Sequence, residues 1–347
     1  MKMKWMLALL CAALMVVVAG CGKDAAPQSD KMRVVATVFP VADVVQKVGG
    51  DLVDVHLLVP AGAEPHDWEP TVSDRKEIGK AKVFFYNGAG LEPMDQLLTP
   101  EVLGDATPVE LTAGLTLRVP TAAEQHDEEE YDHDGDRHEE TAHHDEDEHH
   151  DHDHEGTVEH EHEHEHGHEG HHHHHHGGVD PHVWLDPQNV MAQVDTVVAA
   201  LSAADPAHAD TYKANGEAYK QELAKLDAEF ASVTAQRDSR KLVVTHAAFG
   251  YLADRYGLEQ VAIMGVDADA EPTPERMAGL IETVRAHDIK VIYTEELLSP
   301  KLAEAIARET GAEVRMLNPI EGLTPAQEKA GEDYLSLQRQ NMEALKA

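Results

Sequence analysis

Histidine and carboxylate, the side chains that bind borderline divalent metals, are very unevenly spread along this chain. Between Thr121 and Gly178 lie 20 of its 26 histidines, with 22 Asp and Glu and a single base, Arg137. Imidazoles alternate with carboxylates at His160, His162, His164, His166 and His168, a dense donor set for zinc, copper or nickel. Acidity alone needs no imidazole, so the tract is expected to collect metal, beyond what a solvated acidic tether would do. It has no apolar periodicity and its carboxylates repel one another. Nothing there offsets the entropy of ordering, so it is expected to be disordered.

Six histidines lie elsewhere: His56, His66, His182, His208, His246 and His287. His66 follows a predicted strand at 53–59, and His246 follows one at 241–245. Open α/β sheets bind ligands beyond the carboxyl ends of their strands, so both side chains are candidates for a cleft. His182 stands among Asp180, Pro181 and Trp184, a rigid apolar setting unlike the tract before it. Three imidazoles and one carboxylate would close a tetrahedral zinc site. By contrast, His56 reads as a packed strand residue, and His208 and His287 as solvated helix residues. Trp68 and Trp184 fit either the core or a place packed against ligands.

The elements that must position these residues alternate. A β-branched run at 33–39 predicts a strand, and Pro40 opens a helical pattern through Val41, Val44, Val45 and Val48 to Gly49-Gly50. Strands are predicted at 53–59, 82–86 and 109–111, with a short helix near 94–98. Thr71 and Asp74 form a capping box between the first two of these strands. After the tract, Asp186-Pro187 starts a helix carrying Val190, Val194, Val197, Val198 and Leu201, and Asp205-Pro206 starts a longer one. The longer stripe of Tyr212, Tyr219, Leu223, Leu226, Phe230 and Val233 predicts a rod of about 45 Å to Gln236, too long for one small lobe.

The alternation resumes with strands at 241–245, 260–266, 291–294 and 314–317, and helices at 248–256 and from Pro274, Pro300 and Pro325. Thr273, Ser299 and Thr324 each place a capping hydroxyl before one of these prolines, and Gln327 completes a capping box. The expected fold is α/β, with two lobes, each a mostly parallel sheet flanked by helices, joined by one long backbone helix, and a metal cleft between the lobes. The predicted division is a signal peptide at 1–20, a tether at 21–32, an N-terminal lobe at 33–205 with its insertion at 121–178, a linking helix at 206–237, and a C-terminal lobe at 238–347.

Lys2 and Lys4 precede an apolar run at 5–19 that is short for a bilayer span and shaped like a secretory signal. Val18-Ala19-Gly20-Cys21 resembles a bacterial lipobox, which makes Cys21 the expected lipidated residue and places the protein on the extracytoplasmic face of the cell membrane. The other cysteine, Cys11, falls inside the signal, so disulfides are not expected. A formal net charge of −37 argues against nucleic acid or an anionic membrane surface as partner and favours cations.

Four ordered segments carry a family resemblance: Glu64-Pro65-His66-Asp67-Trp68-Glu69-Pro70, Asp180-Pro181-His182-Val183-Trp184-Leu185-Asp186-Pro187, Thr245-His246-Ala247-Ala248-Phe249-Gly250-Tyr251 and Asn318-Pro319-Ile320-Glu321-Gly322-Leu323. They resemble the successive signatures of the cluster A-I metal-binding lipoproteins, the solute-binding proteins of zinc and manganese ABC importers. The resemblance runs from Arg33 to the C-terminus and includes the placement of the histidine-rich insertion between the first two ligands. It implies zinc held by His66, His182, His246 and a carboxylate at Glu321, delivery to a membrane permease, a bilayer anchor at Cys21 and a monomer.

Some zinc members of that family fill the fourth position with water, and Glu295 and Glu296 are independent candidates for it. Glu321 is favoured because it follows the last predicted strand and precedes the cap Thr324 by three residues. Manganese members carry a carboxylate where His246 stands, so a manganese-binding homologue is the near alternative. A zinc hydrolase with Glu295 or Glu296 as general base, and a surface zinc store, are more distant ones. The expectation is a binding protein without catalytic activity, with one tight Zn2+ site and additional weak ions on the tract.

Overall fold

The computed structural model describes residues 31–122, 124, 178–266 and 272–346. The signal, Cys21, the tether through Asp30 and nearly all of the histidine tract therefore lie outside the described residues, as does the expected disorder of that tract.

The first lobe is built on four parallel strands, β1 (Met32–Ala36), β2 (Val53–Leu57), β3 (Val83–Tyr86) and β4 (Thr107–Glu110), in the order β2-β1-β3-β4. Helix α1 (Phe39–Gly49) connects β1 to β2, α2 (Val72–Ile78) connects β2 to β3, and the short helices α3 (Met94–Leu97) and α4 (Pro100–Leu103) connect β3 to β4. Val34, Val35, Ala36, Val83, Phe84 and Phe85 are all buried, as expected of strands covered on both faces. Beyond the insertion run α5 (Pro187–Ala204) and α6 (Ala209–Ala235).

The second lobe repeats the topology with β5 (Lys241–Val244), β6 (Glu259–Ala262), β7 (Val291–Thr294) and β8 (Glu313–Met316) in the order β6-β5-β7-β8, again all parallel. Its helices are α7 (Gly250–Tyr256), α8 (Pro274–Ala286) and α9 (Lys301–Thr310), followed by α10 (Pro325–Ala330) and α11 (Tyr334–Leu345). In each sheet the crossovers run to opposite sides of the first strand, which makes a topological switch point at its carboxyl end.

Helix α6 joins the two lobes. Its 27 residues span about 40 Å at 1.5 Å per residue. The buried stripe Tyr212, Gly216, Tyr219, Leu223, Leu226, Phe230 and Thr234 packs on α1 and α5 toward the first lobe and on α7 and α11 toward the second. One hydrophobic cluster consequently runs from Val34 in β1 through Leu223 to Val244 in β5.

The structure moves several expected boundaries. The long helix begins with a 3-10 turn at Pro206–His208, so its α-helical part starts at Ala209. Strand β6 ends at Ala262, yet Ile263 and Met264 still donate to the carbonyls of Val244 and Thr245. The caps at Thr71, Thr273 and Thr324 form, two of them as full capping boxes, whereas Ser299 caps nothing. Pro300 itself takes the helical conformation as the cap of α9, and its carbonyl accepts from Glu304 N–H at 2.9 Å. The helix from Pro325 stops where Gly331 adopts φ +72°, and α11 restarts behind its own capping box of Asp333 and Ser336. Among the described residues no helix is long and apolar enough to cross a membrane.

Candidate metal centre

Four loops at the carboxyl ends of the strands, or adjacent to them, carry the expected ligands to one point. His66 lies in the loop between β2 and α2, His182 before the 3-10 turn Val183–Leu185 that enters α5, His246 at the end of β5, and Glu321 beyond β8. Their donor atoms all lie within 4.8 Å of one another. His182 Nε2 is 2.8 Å from Glu321 Oε1 and 3.2 Å from His66 Nε2, and the same carboxylate oxygen is 3.2 Å from His246 Nε2 and 3.4 Å from His66 Nε2. Zinc bonds of about 2.0–2.1 Å to tetrahedral ligands place those ligands ~3.3 Å apart, so the cluster needs little rearrangement to hold the ion.

Local sequence explains each placement. Leu58 and Val59 extend the β1–β2 pairing by donating to Ala36 and Thr37, and Pro65 then begins a turn closed by Trp68 N–H. Asn87 Nδ2 donates to the Pro181 carbonyl at 3.0 Å and fixes the His182 segment to the end of β3. Trp184 donates through Nε1 to the Pro319 carbonyl at 2.7 Å, while its ring stands edge-on to His182 with centroids 5.5 Å apart. Trp184 is thus both a core residue and the wall behind a ligand. Trp68 is half-buried and packs against two core clusters.

The Glu321 loop is tightly braced. Ile320 has φ +59°, a left-handed conformation that β-branched residues rarely adopt. Asn318 Oδ1 accepts from Ile320 N–H at 2.6 Å, and Asn341 on α11 brackets Asn318 through bonds of 2.7 Å to its N–H and carbonyl. Gly62 N–H donates to the Leu323 carbonyl at 2.7 Å, tying this loop to the one that bears His66.

Behind the ligands lie carboxylates that orient them. Asp180 Oδ1 is 2.8 Å from His182 Nδ1 and accepts His182 N–H at 3.0 Å, so it presents Nε2 to the centre. Glu295 Oε2 is 2.7 Å from His246 Nδ1, while its Oε1 accepts from Thr245 Oγ1 and His246 N–H. Such partners set ring orientation and raise ligand basicity. Glu295, a candidate fourth ligand by sequence, instead supports His246 from behind. Glu296 accepts from Gln327 Nε2 at 3.3 Å and is no part of the cluster.

Glu64 and Asp180 each stand two residues before one of these histidines across a proline, a spacing legible in the sequence that points to both as neighbours of the centre.

The charges are strongly coupled. Burial opposes protonation of His182, but Asp180 and Glu321 outweigh it and hold the imidazole up at about 9. His246 is likewise raised despite burial, by Glu295 and Glu321. Glu321 is buried, yet His246, His182 and His66 keep it well below the usual carboxylate range. Burial and the neighbouring Glu321 push Glu64 up to about 9, so it is protonated at neutral pH. Three nitrogens and one ionised oxygen, buried and close together, are a donor set that could hold a borderline divalent ion.

Among the other histidines, His56 is half-buried in β2, His208 pairs through Nδ1 with Asp205 at 2.6 Å, and His287 is exposed.

Two parallel-sheet lobes, one long joining helix and a buried ligand set contributed by both lobes define a metal-binding solute-binding protein. The family profile described as "ZnuA: Zinc-uptake complex component A periplasmic" matches residues 34–347, and the chain belongs to that family. The chain is 35% identical over 316 residues to the zinc-binding protein AdcA of Streptococcus pyogenes, covering 91% of this chain and 56% of that protein. It is 33% identical over 349 residues to the high-affinity zinc uptake system protein ZnuA of Bacillus subtilis, covering 99% and 97%. The Zn(II)-bound ZnuA-like domain of Streptococcus pneumoniae AdcA superposes with a TM-score of 0.66 at 31% identity, over 91% of this chain and 98% of that domain. The chain thus spans little more than half the length of its AdcA relatives and nearly all of the Bacillus protein.

Proposed function

We propose that this chain is the extracytoplasmic zinc-binding component of a metal ABC importer. It captures Zn2+ at His66, His182, His246 and Glu321, is held to the cell membrane through a lipid on Cys21, and delivers the ion as a monomer to the membrane permease. The observation that carries this reading is the convergence of three imidazole nitrogens and one carboxylate oxygen, within 4.8 Å of one another, between the lobes. The names of the AdcA and ZnuA relatives support zinc as the cargo. Manganese would be better served by more oxygen donors, and an imidazole at His246 favours zinc.

The same geometry favours binding over catalysis. Four protein ligands fill the tetrahedron and leave no open position for a hydrolytic water, and Glu295, the potential general base, points at His246 from behind. We assign 33–205 to the N-terminal lobe, 206–237 to the linking helix and 238–347 to the C-terminal lobe, so the cleft draws ligands from either side of α6.

Competition titration of the full chain with a chromophoric zinc chelator tests the assignment. His66→Ala, His182→Ala and His246→Ala should each abolish the tight site and leave the weaker ions of the tract in place. Tight binding that survives unchanged in all three variants would overturn it.

A further inference from the structure

Arg118, in the loop that follows β4, stands where the first lobe, the second lobe and both ends of the histidine tract meet. Its side chain is only 12% exposed. Nη2 donates to both carboxylate oxygens of Glu124 at 2.8 Å, Nε donates to Asp254 Oδ2 on α7 at 3.1 Å, and Nη1 lies 3.5 Å from Asp180 Oδ2.

The main chain repeats the connection. Asp180 N–H donates to the Arg118 carbonyl at 2.9 Å. Arg118 N–H donates to the Tyr251 hydroxyl at 2.8 Å, which in turn donates to the Asp180 carbonyl at 2.9 Å. Gln260 Nε2 reaches Glu124 from β6 at 2.7 Å. The tract leaves the described structure at Glu124 and returns at Gly178, so one guanidinium ties a carboxylate near each of its roots.

The Asp180 carboxylate is divided between two tasks. Its Oδ1 receives His182 Nδ1 and N–H, while its Oδ2 faces Arg118. Asp180 is fully buried, so bulk solvent does not reach either oxygen. The guanidinium sits where α7 opens with a glycine: a Cβ on Gly250 would fall 2.5 Å from Arg118 Cζ and push the guanidinium from its present position. Asp254, Tyr251 and Gly250 all belong to the second lobe, whereas Arg118 and Asp180 flank the insertion in the first.

We propose that Arg118 is a positioning residue of the metal site: it fixes the Asp180 carboxylate that orients His182, and it depends on the docking of α7 to do so. The alignment of a ligand in one lobe is thereby tied to the engagement of the other lobe. This rests on the reading of His182 as a metal ligand.

The test uses the full chain and one equivalent of cobalt(II), whose visible bands report tetrahedral coordination, together with zinc competition titration. Arg118→Ala and Gly250→Ala should both shift and weaken the cobalt bands and lower zinc affinity about tenfold, at the low end of what loss of a ligand-orienting partner costs. Removing the arginine strands two buried carboxylates and can prevent folding. Gly250→Ala keeps every charge and introduces a better helix former, so it carries the test in that event.

Arg240→Ala is the comparison for a purely structural loss. Arg240 donates to the carbonyls of Gly257, Thr234 and Tyr256 far from the site, so its loss should lower the melting midpoint and leave the cobalt bands alone. Cobalt bands lost in His182→Ala but unchanged in Arg118→Ala, or in Gly250→Ala where the former does not fold, overturn this proposal alone. Bands that survive His182→Ala overturn the reading of the site and this proposal with it.

Discussion

Glu321 Oε1 lies 2.8 Å from His182 Nε2, although Glu321 follows the last strand of the second sheet and His182 belongs to the first lobe. With His66 and His246 around the same oxygen, the carboxylate is the one anionic donor in a ring of imidazoles, and each lobe contributes two of the four side chains. A cation bound there bridges the lobes directly.

Glu321→Gln should therefore weaken zinc less than loss of any of the three histidines. Neutral imidazoles still hold the ion and water can enter the fourth position. Manganese affinity should fall more than zinc affinity does, so the preference for zinc should rise, because the only hard anionic donor of the cluster is lost. Competition titrations with both metals would measure the two effects. A loss of zinc affinity as large as that of His182→Ala would contradict the ranking.

Glu295→Gln should act on the centre through His246. The amide no longer offers a charged acceptor to Nδ1, and the imidazole loses basicity and orientation, at a cost of about 10-fold or more in affinity. One zinc should still bind tightly per chain. If the variant instead loses the tight ion altogether, Glu295 is itself a ligand.

Much of this site was legible in the sequence for a physical reason. His66, His182 and His246 stand in short motifs of proline and aromatic residues, and such rigid local chemistry survives without tertiary information. Glu321 could be ranked above Glu295 and Glu296 only by its place between a strand and a helix cap. The role of Arg118 was hidden because it depends on contacts between distant segments, such as its 3.5 Å approach to Asp180 across the insertion, whereas Asp180 lies only two residues from the histidine it orients.

The fold shows the same division. Proline and threonine caps placed α2, α8 and α10 correctly, whereas Ser299 failed because Pro300 entered the helical conformation itself. The break between α10 and α11 needed Gly331 in its left-handed conformation, which a glycine in the sequence permits but does not dictate.

Asp43 supplies a pH dependence far from the metal. It is buried in α1, accepts from the Tyr219 hydroxyl at 3.0 Å and from Tyr334 N–H at 3.4 Å, and has Lys47 and Asp333 beside it. Burial is the main cause of its rise from 3.8 to about 6, only partly offset by Lys47 and the Tyr219 hydrogen bond. An acid raised on folding stabilises the fold while protonated, so its contribution is complete below about pH 4 and is lost as pH climbs through 6. The size is about 3 kcal/mol at 1.36 kcal/mol per unit.

Urea unfolding of the metal-free protein at pH 4 and pH 7 should consequently show Asp43→Asn gaining on the wild type by about 2–3 kcal/mol between the two. A constant difference at both pH values would show that Asp43 is ionised at no cost.

Deleting residues 125–177 separates the tract from the cleft while keeping Glu124 and Gly178 in place. The twenty imidazoles of the wider tract have an unperturbed pKa of about 6.5, and its carboxylates concentrate cations locally. The deletion should leave the fold and one tight ion, and remove several weaker ones, as counted by mass-spectrometric metal analysis. Mild acid should mimic it, because protons compete for the imidazole nitrogens. The cleft should keep its ion to lower pH, since its four ligands are prealigned and buried. The expected consequence in cells is slower zinc uptake and poorer growth as chelator is raised, through a slower supply of ions to the cleft. Equal uptake and growth at every chelator level would reduce the tract to an inert tether.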